Sequence, residues 1–235
     1  MAKAPLGKLK PSAIGMVELP RLDPKIIEGF LALEDLTGTT SDALDECGIG
    51  GAVPATTLRP TDPAARIVGR ALTVLNRKSP ERRKVSGLAD IEAHNLAQPG
   101  DVLVVEGVAG ISSMGGVSAS IGKRQGEIAA IVDGAVRDID HSRRIGYPIW
   151  SAGVSPITGK WRIETMAVNQ PVHIAGVEVK PGDLVLADEC GVCFIPLARA
   201  AEVLGVAQSL AASEARRLEK LGEGIPLSEF VKLPR

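Results

Sequence analysis

Aromatic residues are scarce in this chain: two Trp, one Tyr and three Phe among 235 residues. That leaves few stacking platforms for single-stranded nucleic acid, and it hands the core to Val, Ile, Leu and Ala. An excess of either charge is missing too. With 27 Lys and Arg against 28 Asp and Glu, the formal net charge is −1, so no global field recruits nucleic acid or an anionic membrane. The three cysteines, Cys47, Cys190 and Cys193, are an odd number without framework spacing. Cys190-Gly191-Val192-Cys193 has the gap of a redox or zinc motif, but no second pair exists. It runs into Phe194-Ile195-Pro196, so it reads as two buried small residues on a strand. No run approaches the ~18 apolar residues of a membrane span. The lysine-bearing start, Met1 to Lys10, lacks the apolar stretch of a secretory signal. A cytoplasmic protein with neither nucleic acid nor a membrane as partner is the expectation.

Motifs of several large enzyme classes are absent as well. There is no phosphate loop, no dinucleotide fingerprint after a first strand and no Gly-x-Ser-x-Gly elbow. His94, His141 and His173 are scattered without metal spacing and read as surface or satisfied core residues. His141 stands apart because it follows Arg137-Asp138 by one helical turn.

What is present is a rhythm of short apolar runs and helical patterns. Residues 1–20, with Pro5, Pro11 and Pro20, read as an extended arm. Pro24 to Leu36 carries a helical apolar face of Ile26, Ile27, Phe30, Leu31, Leu33 and Leu36. Thr39-Thr40-Ser41-Asp42 reads as the capped start of another helix. A strand is expected over 66–75 and a solvated loop over 76–84. Further strands are expected over 102–105, 128–132, 147–150, 184–187 and 192–195, with a hairpin over 171–179 turning at Ala175-Gly176. Helical pieces fall at 91–96, 118–126 and 141–145. A long C-terminal helix from Leu197 aligns Val203, Leu204, Ala207, Leu210, Ala211 and Leu218 on one face. Pro-Gly-Asp occurs twice, at 99–101 and 181–183, each time before a Val/Leu-rich run. Strands and helices mix without strict alternation, which predicts a layered α/β sandwich. Residues 21–235 read as one unit after the arm.

The chemistry concentrates at Val132-Asp133-Gly134-Ala135-Val136-Arg137-Asp138, a short way after Met114-Gly115-Gly116-Val117-Ser118. The run 128–132 predicts a buried strand entering a tight turn at Asp133-Gly134. Arg137 and Asp138 then lie just past the strand's end. Arginine offers a planar fork of donors to a carboxylate. Aspartate offers hard oxygen to Mg²⁺ or Mn²⁺. Glycines at 115 and 116 can present bare backbone N–H groups to the same anion.

These stretches, together with Thr39–Leu44, Pro99–Val105, Gly146-Tyr147-Pro148, Val179–Asp183, Ala187-Asp188 and Gly191-Val192, resemble the family of ribonuclease-E-activity-regulator-like proteins and class II pyruvate aldolases. That family includes the 4-hydroxy-4-methyl-2-oxoglutarate / 4-carboxy-4-hydroxy-2-oxoadipate aldolases. The resemblance implies a β/β/α sandwich of the phosphohistidine swivelling-domain type, with N-terminal helices and a long C-terminal helix. It implies a homotrimer, or a hexamer built as a dimer of trimers, with sites between subunits. By the same resemblance Asp138 holds the divalent metal, Arg137 binds the pyruvate-like end of the substrate, and the backbone of Gly115, Gly116, Val117 and Ser118 takes the carboxylate. Glu214 of a neighbouring subunit is the best match for a second acid. Aldolase members often carry an acid where this chain has Gly116; Glu106, Asp188 or Glu189 is the expected replacement, unless substrate and chemistry differ. The implied function is a metal-dependent lyase acting on a 2-oxo acid, by retro-aldol release of pyruvate or decarboxylation of oxaloacetate. The alternative is a non-catalytic regulator that binds and inhibits a ribonuclease.

Overall fold

In the computed structural model, residues 3–234 are described; Met1 and Ala2 of the expected arm lie outside them. The arm is extended apart from a single 3₁₀ turn at Pro11–Ala13. It is pinned to the body by backbone N–H groups of Leu6 and Lys8 on the Glu92 carboxylate, and Leu19 is buried at its end.

The first expected helix stops early. Helix α1 spans Pro24–Leu31 with Asp23 as N-cap, its carboxylate accepting from the Lys25 N–H. Helix α2 spans Leu36–Glu46 and begins after Asp35. The predicted cap at Thr39–Ser41 is therefore wrong. Thr39 and Thr40 lie in the middle of α2 and are buried, because tertiary packing overrides their preference for caps. Strand β1 (Ala52–Pro54) and the two-residue β2 (Arg59–Pro60) follow. Strand β3 covers Ile67–Lys78, three residues beyond the expected end. Asn76 belongs to the sheet, not to a solvated loop: it is buried and accepts from the Thr165 hydroxyl at 2.9 Å. Helix α3 (Asp90–Leu96), β4 (Asp101–Glu106), β5 (Ser112–Met114) and α4 (Gly116–Gln125) lead to β6 (Ala129–Val136).

Strand β6 corrects the reading of Asp133-Gly134. The pair is no turn; it lies inside the strand, where the register against the next strand shifts between Val132 and Ala135. A Cβ on Gly134 would come within 2.9 Å of the Val108 nitrogen. The glycine serves a close backbone approach, the other meaning glycine has in a strand. Helix α5 (Ile139–Arg144) and β7 (Ile149–Val154) come next. Strand β8 (Ile163–Val168) was not foreseen. Strands β9 (Val172–Ile174) and β10 (Val177–Val179) form the expected hairpin, with Ala175 and Gly176 both at positive φ. Strands β11 (Leu184–Ala187) and β12 (Gly191–Ile195), the 23-residue α6 (Ala200–Gly222) and the short α7 (Leu227–Phe230) complete the chain. The Cys190–Cys193 pair splits: Cys193 is buried on β12, as expected, while Cys190 is exposed.

Ten strands make one mixed sheet, in the order β1-β12-β11-β3-β4-β6-β7-β2, with β5 added to β6 and β8 to β3. Its centre, β3-β4-β6-β7, is parallel. Alternate residues of the central strands face two cores, as strand geometry requires. Leu103, Val105, Ala130 and Val132 pack with Ala93 and Leu96 of α3 and Ala119 of α4. Val102, Val104, Ala129 and Ile131 pack with Val172, Ile174 and Val179 of the hairpin. A third core joins α1, α2 and α6 to β11 and β12. The sheet is curled enough for the indole of Trp150, on β7, to donate to the carbonyl of Asp188, just past β11, at 2.7 Å. Among the described residues no helix is long and apolar enough to cross a membrane. The two Pro-Gly-Asp segments build the same turn: Gly100 and Gly182 take positive φ, and Asp101 and Asp183 each accept from the backbone N–H three residues earlier, at 2.8 Å.

Candidate active site

Parallel strands point their carboxyl ends the same way, and ligands gather there. Strand β6 ends at Val136. Arg137 continues it by donating its backbone N–H to the Met114 carbonyl of β5 at 3.1 Å. Asp138 then turns the chain with φ 56° and ψ 36° and becomes the N-cap of α5. Aspartate is among the few residues that tolerate this left-handed geometry.

Across a narrow gap, β5 passes through an extended Gly115 into α4, so the first turn of α4 faces Asp138. The Gly116 N–H donates to Asp138 Oδ2 at 2.9 Å. Gly115 is required by this approach, since a Cβ there would lie 2.6 Å from the same oxygen and 3.1 Å from Arg137 Cγ. Arg137 Nε stays 3.7 Å from Asp138 Oδ2, and both side chains are about half exposed, which leaves the guanidinium fork open to a ligand. The His141 ring lies over Gly116, and its Nε2 is 2.8 Å from Ser120 Oγ.

Two cavities share Gly116, Val117, Ile121 and Asp138. The inner one, about 340 Å³, reaches His94, Ser113, Gly115, Ser118, Arg137 and Lys160. The outer one, about 640 Å³, is wider and is bordered by Arg124, Asp140, His141 and Arg144. Four cationic side chains, Arg124, Arg137, Arg144 and Lys160, outnumber the three carboxylates on the walls, Asp90, Asp138 and Asp140, and favour an anionic ligand.

His94 is the residue that sequence reasoning undervalued. It is a fully buried core histidine, as expected, but its partners are not ordinary. Nδ1 is 2.8 Å from Glu127 Oε1 and Nε2 is 2.8 Å from Ser118 Oγ. Glu127 Oε2 accepts from the Tyr147 hydroxyl at 2.7 Å. Burial pushes the imidazole down, but the hydrogen bond and charge of Glu127, with Asp90 beyond, outweigh it and leave His94 raised. Burial and the Glu127 charge hold the Tyr147 phenol well above its usual range, so it remains a donor. No spacing signal links residues 94, 118, 127 and 147; only the fold assembles them.

The sites expected from sequence divide accordingly. Gly115, Gly116, Val117, Ser118, Arg137 and Asp138 come together around the inner cavity. Glu214 is exposed on α6, which packs on α1 and α2, and lines neither cavity. Glu106, Asp188 and Glu189 lie away from both cavities of this chain. Glu106 is held by Arg77 and the His173 N–H, and Asp188 by Thr37 and the Cys190 N–H. Among the described residues no group of three or more His, Cys, Asp or Glu is placed to hold a metal ion.

The RraA-like family pattern (Aldolase/RraA) matches residues 37–194. This chain belongs to the RraA-like family. The matched span takes in every residue that lines the two cavities and the His94 cluster, and it leaves out α6 with Glu214. Protein DlpA of Legionella pneumophila subsp. pneumophila is 29% identical over 197 residues, which are 80% of this chain and 31% of DlpA. The chain thus spans under a third of that relative. A Halalkalibacterium halodurans protein named "Putative 4-hydroxy-4-methyl-2-oxoglutarate aldolase" is 30% identical over 191 residues, 80% of this chain and 86% of its own. The crystal structure of Streptomyces coelicolor RraAS2, described as an unusual member of the RNase ES inhibitor RraA protein family, matches this RraA-like chain with a TM-score of 0.71 at 26% identity, covering 86% of this chain and 99% of its own.

Proposed function

We propose that the chain is a divalent-metal-dependent lyase that breaks a carbon–carbon bond in a 2-oxo acid, releasing pyruvate from a 4-hydroxy-2-oxo acid or decarboxylating oxaloacetate. The observation that carries this reading is the meeting of Arg137, Asp138 and the first turn of α4 at the carboxyl end of β6. The donor set fits Mg²⁺ or Mn²⁺: such ions bind through one or two carboxylates and keep water and substrate oxygens for the rest, and Asp138 presents a half-exposed carboxylate to the cavity. Bound there, the ion would supply charge stabilisation for a pyruvate enolate.

The chain's own residues divide the remaining work. The Arg137 fork holds the substrate carboxylate in a bidentate grip. The free amides of Val117 and Ser118, at the start of α4, add donors and the favourable end of the helix dipole. Arg124 and Arg144 on the outer cavity suit a second carboxylate, which favours di- or tricarboxylic substrates. The homologue named as an aldolase supports the reaction class. The hairpin packed on one sheet face, with helices on the other, supports a β/β/α swivelling-type relationship. A cytoplasmic homotrimer or hexamer, with Glu214 of one subunit completing the site of the next, belongs to the same proposal. Exposed Val117 beside the site, and exposed Leu218, Leu227 and Val231 near the C-terminus, support further burial on assembly.

The test is pyruvate release from a panel of 4-hydroxy-2-oxo acids and from oxaloacetate, with and without Mg²⁺ or Mn²⁺. Metal-dependent release supports the proposal, and an inert protein across the panel refutes it. One observation favours a second reading: Gly116 offers no acid, so a chain of this family that only contacts and inhibits a ribonuclease would need none. Inhibition of a ribonuclease that persists in Asp138→Asn would select that reading.

A further inference from the structure

If the site cleaves a 4-hydroxy-2-oxo acid, a proton must leave the 4-hydroxyl and another must reach the enolate carbon. No carboxylic acid stands at position 116, and Glu106, Asp188 and Glu189 border neither cavity; of the carboxylates on the walls, Asp138 is the metal ligand of this reading, Asp140 pairs with Arg143, and Asp90 lies against His94. We propose that the Ser118 hydroxyl is the proton-transfer group of this site, with His94 behind it as the proton reservoir and Glu127 and Tyr147 as its positioning residues; the proposal rests on the lyase reading above.

The geometry is a continuous chain from the cavity inward: Ser118 Oγ to His94 Nε2 at 2.8 Å, His94 Nδ1 to Glu127 Oε1 at 2.8 Å, and Tyr147 to Glu127 Oε2 at 2.7 Å. Ser118 lines the inner cavity beside Gly115, Arg137 and Asp138. Behind it Glu127 and Tyr147 are buried. The other groups facing the cluster are Asp90, 3.9 Å from His94 Nε2, and the more distant Asp101. The fold makes room for the arrangement. A Cβ on Gly122, inside α4, would lie 2.3 Å from Glu127 Oε2 and 2.9 Å from the Tyr147 hydroxyl. A glycine in a helix interior is unfavourable, and a buried acid–imidazole pair gains little over apolar packing. Structural economy explains neither, whereas a tuned proton carrier explains both.

The step balances. In neutral His94, Nδ1–H donates to Glu127 and Nε2 accepts from Ser118. Ser118 oxygen takes the 4-hydroxyl proton as its own passes to Nε2. The alkoxide pair becomes the product carbonyl, the C3–C4 bond breaks, and its electrons form the enolate. Nε2 then returns its proton to Ser118 as the Ser118 proton moves to C3, giving pyruvate and restoring neutral His94. Decarboxylation uses only the second half, with His94 protonated beforehand by solvent.

The experiment is exchange of pyruvate methyl hydrogens for deuterium in D₂O with Mg²⁺, followed by NMR, beside calorimetry of oxalate, an enolate mimic. Ser118→Ala and His94→Gln should slow exchange by about 100-fold or more while oxalate binding holds. Tyr147→Phe should move the inflection of the exchange pH profile upward, because Glu127 then offers its full charge to His94. Folded Ser118→Ala that exchanges like the parent overturns the relay and leaves the lyase reading standing. A parent protein that binds oxalate but exchanges nothing overturns both. Should the first two variants not fold, an unshifted inflection in Tyr147→Phe overturns the relay.

Discussion

At the scale of single residues, two adjacent glycines tolerate change differently. A methyl on Gly115 would collide with Asp138 Oδ2 and crowd Arg137. Gly115→Ala should therefore lose nearly all activity while the melting temperature falls little. Gly116 does not adopt positive φ, and a Cβ added there would first meet His141 ring atoms at 3.1 and 3.2 Å. That ring is partly exposed and can give way. Gly116→Asp should stay folded and gain aldol cleavage of 4-hydroxy-4-methyl-2-oxoglutarate, on which the parent should be slow; brisk cleavage by the parent would show that the acid is not missed. For Asp138, asparagine is the informative replacement, since alanine in left-handed geometry adds a backbone cost of roughly 1–2 kcal/mol unrelated to chemistry. Asp138→Asn should abolish metal-stimulated turnover, and Arg137→Lys should cut kcat/KM strongly, because it keeps charge but loses the fork. Both should melt near the parent temperature, as the exposed Arg137–Asp138 contact contributes little to stability. Full turnover by either variant would remove that residue from the site.

Among elements, β3 and β4 are tied by more than their ladder. Arg70 on β3 donates to Asp101 on β4 at 2.6 and 2.8 Å, and to the carbonyls of Leu19 and Pro20 in the arm at 3.0 and 2.6 Å. The pair is buried, with side-chain exposures of 6% and 1%. Removing one partner strands the other, so Arg70→Ala should cost about 3–5 kcal/mol in urea unfolding; a loss of about 1 kcal/mol or less, as at a surface pair, would show that water reaches it. Helix α3 carries the pH dependence through His94. A base raised in the folded state contributes stability that is complete below its unfolded value of 6.5 and is lost as pH rises through the folded value. The melting temperature should thus decline as pH rises above that point, and the decline should flatten in His94→Gln. A decline of equal slope in that variant would assign it to another group. Asp101 and Asp183 act in the acid range. Burial raises both despite their hydrogen bonds, so each destabilises the fold above its folded value and relieves that cost as pH falls.

For the whole molecule the open element is α6. Its inner face, Ala200, Val203, Leu204 and Ala207, is buried in the third core, whereas Leu218 and Leu221 towards its C-terminal end are exposed. Glu214 borders neither cavity of the Arg137-Asp138 site, so the proposed role for it requires a neighbouring subunit. Sedimentation should give a trimer or hexamer. Mixing inactive Asp138→Asn with inactive Glu214→Ala subunits should restore part of the activity, because some interfaces then pair two intact partners. A fully active monomer would end that arrangement.

Much of this protein was legible locally. The β9–β10 hairpin, the strands at β4, β11 and β12, the long α6 face and the Pro-Gly-Asp turns all follow from period and turn chemistry that act within a few residues. So did the pairing of a glycine pair with Arg137-Asp138, because both sit where a strand ends. The errors lie where distant chain decides. Thr39 and Thr40 are good cap formers drawn into the middle of α2 by burial. Asp133-Gly134 looks like a turn and is strand, because residues 107 and 108 press against Gly134. Strand β8 exists because β3 offers it an edge at Val74–Lys78. The buried His94 cluster was wholly beyond local reading: its members are separated by up to 53 positions, and hydrogen bonds between side chains leave no period in a sequence. Local propensity determined which elements form and where the reactive pair stands; packing determined which buried groups stand behind that pair, since only the folded sheet brings α3, α4 and the flanks of β6 together.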